Sequence, residues 1–362
     1  MTRSLRYGAA LLSLLLSTSV FAQSAEKGGL DLNGPYQVVP NWFKPGVRWN
    51  QPVTGVVVDT PDRIIVTSSG EQITQPGSVI LNPDGTLQNP RQDRTAKPIE
   101  KPTHEHMIVV LNRDGKVIED WSQWNDQIVL AHNVEISPYD PEKHVWVVDR
   151  EGAQIFKFTN DGKKIALKLG EKGVTGTDQY HYNWPAGLTF LPDGSFFVAD
   201  GYRNSRIVKY DKNGKYLSEW GTKGDGPGQF NLVHGVAVDA QHRLYVSDRG
   251  NNRIQVFDAN GKFIEAWNNA RTSHIIPTQD GGIWAVAGEN NRLVKFDMNG
   301  RLLTSWGVYG RFPEGFDDPH TFDLDSEGNV YLADTFNNRV DKFTPKPGAD
   351  KSRLIAPKVI PK

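Results

Sequence analysis

Four of the nine histidines occupy one recurring position in the chain, and histidines at equivalent positions can build a metal site. The position comes directly before a pair that resembles Gly-Val. Three neutral imidazoles around an open coordination position form the usual arrangement of a catalytic zinc centre. In chain order, the six residues at this position are Thr54, His132, Ala186, His234, His274 and His320.

The recurring position belongs to an internal repeat of about 45 residues. In the clearest copy, three short stretches alternate apolar and polar residues: 234–239, 243–248 and 252–258. Asp-Gly and Asn-Gly turn signals separate such stretches along the chain, and four strands per repeat are typical of one propeller blade. Six copies therefore predict an all-β chain folded as a six-bladed β-propeller.

The propeller explains how distant histidines can meet. The innermost strand of each blade lines the central channel, and blades two, four and six are related by about 120° around its axis. We therefore expect His132, His234 and His320 to converge on one divalent metal ion, most naturally zinc. The alternative is that channel histidines only bind ordered water. His274, in blade five, breaks the symmetry and is expected to contact substrate or support the ligands, or to bind channel water.

A second layer of candidates follows the second strand of each blade, near the same mouth of the channel. Tyr202 lies in the turn Asp-Gly-Tyr-Arg, which can aim its phenol inward as a proton acceptor. Arg249, in the next blade, can hold a carboxylate, and Arg150 occupies the corresponding place in blade two. The alternative for Tyr202 is an aromatic residue packed in its turn.

Arginines also recur at one position of the repeat. Such regularity favours a structural role, and we expect these arginines to form ion pairs with the repeated aspartates between blades. The four residues are Arg206, Arg253, Arg292 and Arg339.

Composition and charge narrow the class of protein. The 362 residues include 35 glycines, 22 prolines and 10 tryptophans, which suits a turn-rich β fold better than a helical bundle. Basic and acidic residues number 41 and 42, so no global field favours nucleic acid or an anionic membrane. The absence of cysteine excludes disulfides and thiolate-ligated metals.

The chain divides into four predicted segments. Residues 1–22 have the charged start, apolar run and small-residue end of a signal peptide, which predicts a periplasmic or secreted protein. Residues 23–53 form an N-terminal segment expected to close the last blade. The propeller covers 54–343 and contains a Pro-, Gln- and Asn-rich insertion, 71–106, read as a lid loop or as decoration. Residues 344–362 form a basic Pro/Lys-rich tail that we expect to be solvated.

The short motifs Asn-Arg-Ile and Gly-Lys recur in the blades, which resemble NHL repeats over residues 54–343. More specifically, 200–207, 247–255 and Pro319-His320 are similar to segments of the peptidyl-α-hydroxyglycine α-amidating lyase family, six-bladed propellers with zinc on three histidines. The resemblance implies that Tyr202 is the general base and that Arg249 faces the substrate. It also implies zinc-assisted cleavage of a carbinolamide C–N bond, which releases an amide and glyoxylate.

Two residues depart from the family pattern. Ser69 stands where the family has an arginine at the end of the second strand of blade one, and Arg150 is a candidate to replace that cation. Thr321 stands where the family has an aspartate that binds a structural calcium ion. Val56 and Val134 still occupy the positions whose carbonyls reach that ion, but the missing carboxylate counts against calcium.

The sequence thus predicts an exported, monomeric propeller enzyme of the metal-dependent lyase type. Its expected partner is a small-molecule or peptide substrate, with no nucleic acid and no membrane insertion. A first alternative is a non-catalytic propeller that binds a peptide or glycan at the channel mouth. A second is a metal-dependent lactonase or hydrolase, which ranks last because that role favours acidic metal ligands over histidines.

Overall fold

The computed structural model describes residues 32–47, 49–70, 80–81, 87–88 and 104–362. The predicted leader and most of the predicted insertion lie outside these residues. None of the helices in the described part of the chain has the length and apolar character needed to cross a bilayer.

Six four-stranded antiparallel sheets confirm the predicted all-β, six-bladed propeller. From the innermost strand outward, blade one consists of Val53–Thr60, Arg63–Ser68, Ile108–Leu111 and Val117–Asp120. Blade two consists of Ala131–Ile136, Val145–Asp149, Gln154–Phe158 and Ile165–Leu169. Blade three consists of Pro185–Phe190, Phe196–Asp200, Arg206–Tyr210 and Tyr216–Trp220. Blade four consists of Val233–Val238, Leu244–Asp248, Arg253–Phe257 and Phe263–Asn268. Blade five consists of His274–Pro277, Ile283–Ala287, Arg292–Phe296 and Leu302–Trp306. Blade six consists of Pro319–Leu324, Val330–Asp334, Arg339–Pro345 and Tyr36–Val38.

Short elements decorate the blades. Two two-stranded pairs are formed by Ile80–Leu81 with Leu87–Gln88 and by Thr222–Lys223 with Gln229–Phe230. The remaining elements are short 3₁₀ helices at Ser122–Trp124, Arg249–Asn251, Gly288–Asn290 and Lys351–Arg353.

Burial falls from the inside of each blade to the outside. Every residue of the innermost strand Val233–Val238 is buried, whereas the outermost strand Tyr216–Trp220 buries no residue fully. The apolar clusters lie between neighbouring blades; Phe197 of blade three, for example, shares a cluster with Val246 of blade four. The stacked blades therefore hold the innermost strands, which carry the candidate residues, in fixed positions around the axis.

The hairpin turns explain the regular strand spacing. In blade three, Asp211 accepts hydrogen bonds from the backbone N–H groups of Asn213 and Lys215, both at 2.8 Å. Gly214 takes a φ of 82°, a conformation that glycine adopts without steric cost. The Asp-x-x-Gly pattern therefore favours a tight turn between the two outer strands.

The repeated arginines form ion pairs, but within blades and not between them. Arg206 and Asp200 are cross-strand partners in blade three, with Nε 2.9 Å from Oδ2. The same pairing occurs in blades four and six. Arg292 has no such partner, because Ala287 stands at the aspartate position of blade five. The expectation of ion pairs between blades was wrong, since these residues face each other across adjacent strands.

The N-terminal strand completes blade six. Tyr36–Val38 pairs antiparallel with the strand Arg339–Pro345, with Tyr36 opposite Pro345 and Val38 opposite Phe343. Tyr36 is fully buried, and its hydroxyl accepts the Ile355 N–H at 2.8 Å. One blade therefore contains strands from both ends of the propeller sequence, which closes the ring.

The C-terminal tail packs onto the propeller, so the expectation of a solvated tail was wrong. Ile355 is only 5% exposed. Val359 N–H donates to the Pro277 carbonyl at 2.9 Å, and Lys358 forms a β-bridge with Thr278. Apolar residues of the tail and backbone pairing with blade five outweigh the solvation of its basic residues.

Candidate metal centre

Three of the four repeated histidines meet on the propeller axis. His132, His234 and His320 are each the second residue of the innermost strand of blades two, four and six. Their imidazole centroids lie 4.6, 4.8 and 5.1 Å apart. All three are buried, and one candidate ligand nitrogen from each lies within 4.8 Å of the others. In the described part of the chain, this is the one cluster of three or more metal-ligating side chains.

A register shift in each of the three strands aims the histidine at the axis. In blade two the pairing skips from Ala131 to Asn133, which leaves His132 without a cross-strand partner. The pairing skips over His234 in blade four and His320 in blade six in the same way. A bulge of this kind redirects the side chain of the unpaired residue. The three imidazoles therefore converge because their strands deviate from regular pairing.

His274 does not join the cluster. Blade five has no such shift, and Ser273 stands where His234 stands in blade four, so the expectation that His274 shares the histidine position was wrong. His274 pairs in regular register with Val286, and its ring packs edge-on against Phe322 at 5.7 Å. It lines a cavity at the other end of the channel. Burial, together with the charge of Lys358, lowers the pKa of His274 to about 3. The structure thus places His274 in the axial channel but outside the histidine cluster.

Backbone carbonyls fix the orientation of the three imidazoles. His132 Nδ1 lies 2.8 Å from the Ala186 carbonyl oxygen and His234 Nδ1 lies 2.7 Å from that of Ser273. His320 Nδ1 contacts the Thr54 carbonyl oxygen. A carbonyl only accepts, so each Nδ1 carries the proton and each Nε2 presents a lone pair. Such second contacts orient metal-ligating histidines in proteins.

Burial keeps the three imidazoles neutral. It lowers the pKa of His132 and His234 well below 6.5 and that of His320 to about 3, and the charges of Arg150 and Arg249 act in the same direction. Two Nε2 atoms, those of His234 and His320, lie 3.2 Å apart although neither carries a proton. Converging lone pairs are stabilised by a cation between them, so the donor set fits zinc or another metal ion that prefers imidazole.

Tyr202 reaches the cluster from blade three. Its hydroxyl oxygen lies 3.0 Å from Nε2 of His132 and 3.0 Å from Nε2 of His234. The phenol oxygen therefore lies beside the point on which the histidine Nε2 atoms converge, where it could exchange a proton with a group bound there. The Tyr202 hydroxyl faces the histidines, and its ring packs against the apolar cluster between blades three and four.

Two guanidinium groups flank Tyr202. Arg150 lies 4.9 Å and Arg249 5.7 Å from the centre of the Tyr202 ring. Arg150 also forms an ion pair with Glu151 through Nη2 at 2.9 Å, and among the described residues the buried Nε atoms of both arginines have no hydrogen-bond partner. Ser69 is buried at the end of its strand in blade one. The mouth of the channel therefore carries two cations, one of them from blade two.

Two further residues of the mouth were missed by sequence reasoning. The Trp184 ring packs on the guanidinium of Arg203 at 3.6 Å and lies 5.1 Å from that of Arg150. Asp318 lies near Arg249, and burial raises the pKa of its carboxyl group against the opposing charge of that arginine. Both residues directly precede an innermost strand and have a positive φ, of 62° and 56°. The sequence feature that could have identified both residues is their shared place in the repeat, directly before the innermost strand.

The residues around Thr321 do not fit a calcium ion, which the sequence had already made doubtful. The Thr321 hydroxyl accepts the backbone N–H of Val56 at 3.0 Å. The carboxylate that follows on the same strand, Asp323, is paired with the ammonium group of Lys358. Calcium takes six to eight oxygen ligands, usually with carboxylates among them, and the Val56 and Val134 carbonyls do not supply that set.

Comparison with known proteins supports the fold and identifies homologues. A family model described as "6-bladed beta-propeller" matches residues 188–284. Over 311 residues, 81% of this chain, the sequence is 30% identical to mouse peptidyl-glycine alpha-amidating monooxygenase. It is 33% identical over 147 residues to a probable peptidyl-alpha-hydroxyglycine alpha-amidating lyase of Caenorhabditis elegans, and 30% identical over 152 residues to mouse NHL repeat-containing protein 3.

The homologous region is only part of those relatives. The match covers 30% of the mouse monooxygenase and 41% of the nematode lyase. Each of these matches therefore spans less than half of the relative's length. The chain is a six-bladed β-propeller whose homologues include amidating monooxygenases and lyases and NHL-repeat proteins.

Solved structures share the fold at low sequence identity. Virginiamycin B lyase from Staphylococcus aureus aligns with a TM-score of 0.52 and 15% identity, over 85% of this chain and 98% of that one. A gluconolactonase from Xanthomonas campestris aligns with a TM-score of 0.52 and 12% identity, over 88% and 92% of the two chains. At these identities the similarity concerns the propeller architecture alone.

Proposed function

We propose that this protein is a zinc-dependent carbon–nitrogen lyase that converts a carboxylate-bearing carbinolamide into an amide and glyoxylate. The observation that carries the proposal is the position of the Tyr202 hydroxyl, 3.0 Å from two Nε2 atoms of the buried histidine cluster. Homologues named amidating lyases support the same class of reaction.

The three histidines would hold the metal through Nε2. Zinc, when bound, is a Lewis acid that polarises a hydroxyl oxygen of the substrate and makes its proton easier to remove. The histidines need no rearrangement for this, because backbone carbonyls already hold each Nδ1 and leave each Nε2 free to ligate.

Tyr202 would act as the general base. As a phenolate, its oxygen takes the proton of the substrate hydroxyl; the C–O bond becomes a carbonyl and the C–N bond breaks. The electron pair of that bond goes to the amide nitrogen, which receives the proton that Tyr202 took from the hydroxyl. Atoms balance without water, so the step is an elimination and not a hydrolysis.

The two arginines of the mouth would bind the substrate carboxylate. Arg249 has an unpaired Nε, and Arg150 brings a second positive charge to the same side of Tyr202. A guanidinium recognises a carboxylate through two parallel hydrogen bonds. This feature favours a substrate with a free carboxylate, such as α-hydroxyglycine attached to a peptide or a small acyl group.

We further propose that the protein acts outside the cytoplasm as a monomer, on a small molecule or a peptide. The predicted leader in residues 1–22 is the basis for export. The net charge of −1 gives no reason to expect nucleic acid as a partner.

Metal analysis combined with turnover tests the proposal. Protein purified without a histidine tag or chelators should contain about one zinc ion per chain and release glyoxylate from α-hydroxyhippurate. His234→Ala should lose both, and His181→Ala, which changes a partly exposed histidine paired with Asp178 away from the cluster, should lose neither. Bound zinc without glyoxylate release would favour the non-catalytic binding propeller, and absence of metal from the unchanged protein would reject the metal centre.

A further inference from the structure

The channel has a second charged region at the end opposite the histidines. The innermost strands run from one end to the other, so Glu135 and Asp323 lie three residues beyond His132 and His320. At about 3.3 Å per residue, this distance is about 10 Å along the strand. The two carboxyl groups therefore belong to a different part of the channel from the candidate metal centre.

The C-terminal tail covers this end. Besides the bridge between Lys358 and Thr278, Gln279 N–H donates to the Pro357 carbonyl at 2.9 Å, and Gln279 Nε2 donates to that of Lys358 at 3.2 Å. These bonds hold residue 358 at this end of the channel.

Lys358 extends into the channel and meets a buried carboxylate. Its Nζ lies 2.6 Å from Oδ1 of Asp323, a residue whose side chain is 1% exposed. Asp323 also accepts backbone N–H bonds from Val58 at 2.8 Å and Leu324 at 2.7 Å. Burial opposes the charge of the ammonium group, but Asp323 and Glu135 outweigh it and raise the pKa of Lys358. The lysine is thus held in its charged form.

The surroundings of the ammonium group form a site. A cavity of about 170 Å³ lies beside it, with apolar walls that include Leu188, Phe190 and Phe322. Glu135 and Lys358 both line this cavity, and the Lys358 side chain keeps 39% of its accessible surface there. Among the described residues, none donates a hydrogen bond to the Glu135 carboxyl. A carboxylate at the end of an apolar pocket is suited to a short alkyl chain that ends in an ammonium group.

We propose that this end of the channel is a binding site for primary alkylammonium groups, occupied within the same chain by Lys358. Asp323 is its anionic partner, and Glu135 is a second carboxyl group within its cavity. Without the Lys358 side chain, Asp323 would be a buried charge with no counter-ion, which is strongly unfavourable. A free alkylamine of similar length would then bind and restore the lost stability.

Chemical rescue tests this site without reference to turnover. The thermal midpoint of Lys358→Ala should fall by about 5 °C, because the substitution leaves the buried carboxylate of Asp323 without its ammonium partner. Millimolar n-propylammonium chloride should raise that midpoint in a saturable way and leave the unchanged protein unaffected. Lys351→Ala, which changes an exposed lysine of the same tail, should behave as the unchanged protein does. The zinc content should be the same in all of these proteins.

The double variant Lys358→Ala/Asp323→Asn identifies the anion. It should not respond to propylammonium, and tetramethylammonium should rescue neither variant, because it has no N–H group to donate. An unchanged midpoint in Lys358→Ala, or rescue that persists without Asp323, would overturn the proposal. If Lys358→Ala does not accumulate as folded protein, its refolding yield with and without propylammonium replaces the midpoint: a higher yield with the amine supports the site, and an equal yield contradicts it.

Discussion

The Tyr202 hydroxyl shows how much chemistry depends on the position of one oxygen atom. It lies 3.0 Å from two imidazole nitrogens, each of which presents a lone pair. A hydroxyl has a single proton and can donate to only one of them at a time. The arrangement is therefore incomplete as a hydrogen-bond network and is better suited to a centre that also holds a cation.

Tyr202→Phe should abolish turnover while leaving the metal bound. The phenyl ring can keep its packing against Trp184, but the proton acceptor is lost, and such groups contribute about 10²- to 10⁴-fold to rate. Glyoxylate release and zinc content measured on the same sample check this. Turnover that survives the substitution would exclude Tyr202 as the base.

Arg249→Gln should raise KM for a carboxylate substrate about ten- to hundred-fold, because a hydrogen bond to a charged group is worth about 1.5–3 kcal/mol. A substrate analogue with its carboxylate esterified should lose much less. Arg301→Gln, which changes an exposed arginine paired with Asp297, is the matched control. Equal effects on the acid and the ester would show that Arg249 does not bind the carboxylate.

Within each blade, the strands determine which residues can act together. The strand register separates His132, His234 and His320 from His274. In blade five Ser273 stands at the position of the three histidines, and His274 comes one residue later, opposite Val286. The reason is geometric: a shift of one residue in the pairing register turns a side chain from one face to the other. Blade five keeps regular pairing at this position, and its histidine faces the cavity beyond the cluster.

The ion pairs inside the blades predict a contrast between two equivalent arginines. Arg206→Met should reduce the free energy of unfolding by about 3–5 kcal/mol, because it leaves the buried carboxylate of Asp200 without its counter-ion. Arg292→Met should change it by less than about 1 kcal/mol, because among the described residues that arginine bonds only to Ser305 Oγ, at 3.3 Å. Denaturant unfolding of both variants checks this; similar losses would show that side-chain packing and not charge dominates.

Closure of the ring depends on contacts between the two ends of the molecule. Tyr36 comes from the N-terminal strand, is fully buried in blade six and bonds to the backbone of the tail at Ile355. Both ends of the propeller sequence are thus joined at one blade. The tail also covers one end of the channel, so the candidate metal centre is reached from the mouth that Tyr202 lines.

Tyr36→Ala should lower the free energy of unfolding by about 3–5 kcal/mol, as the loss of a buried aromatic side chain does. The neighbouring residue provides the control, because Gln37 is exposed on the same strand, and Gln37→Ala should change stability by less than about 0.5 kcal/mol. Denaturant unfolding of both variants checks this prediction. Equal free energies of unfolding would mean that the N-terminal strand is not needed for closure.

The repeat determined the fold from sequence alone, because its signals are local. Turn residues such as Asp211 and Gly214 and alternating apolar residues act over a few positions, and six copies of such a pattern permit one closed architecture. The shared position of His132, His234 and His320 followed from the same repeat. These features need no knowledge of distant contacts.

Only the tertiary structure decided which of these residues meet. Composition and periodicity do not predict the strand register that brings three histidines together and keeps His274 away from them. The places of Trp184 beside Arg150 and of Lys358 beside Asp323 depend on contacts across blades and across the whole chain. Such contacts are set by the packing of complete blades, which a local pattern does not encode.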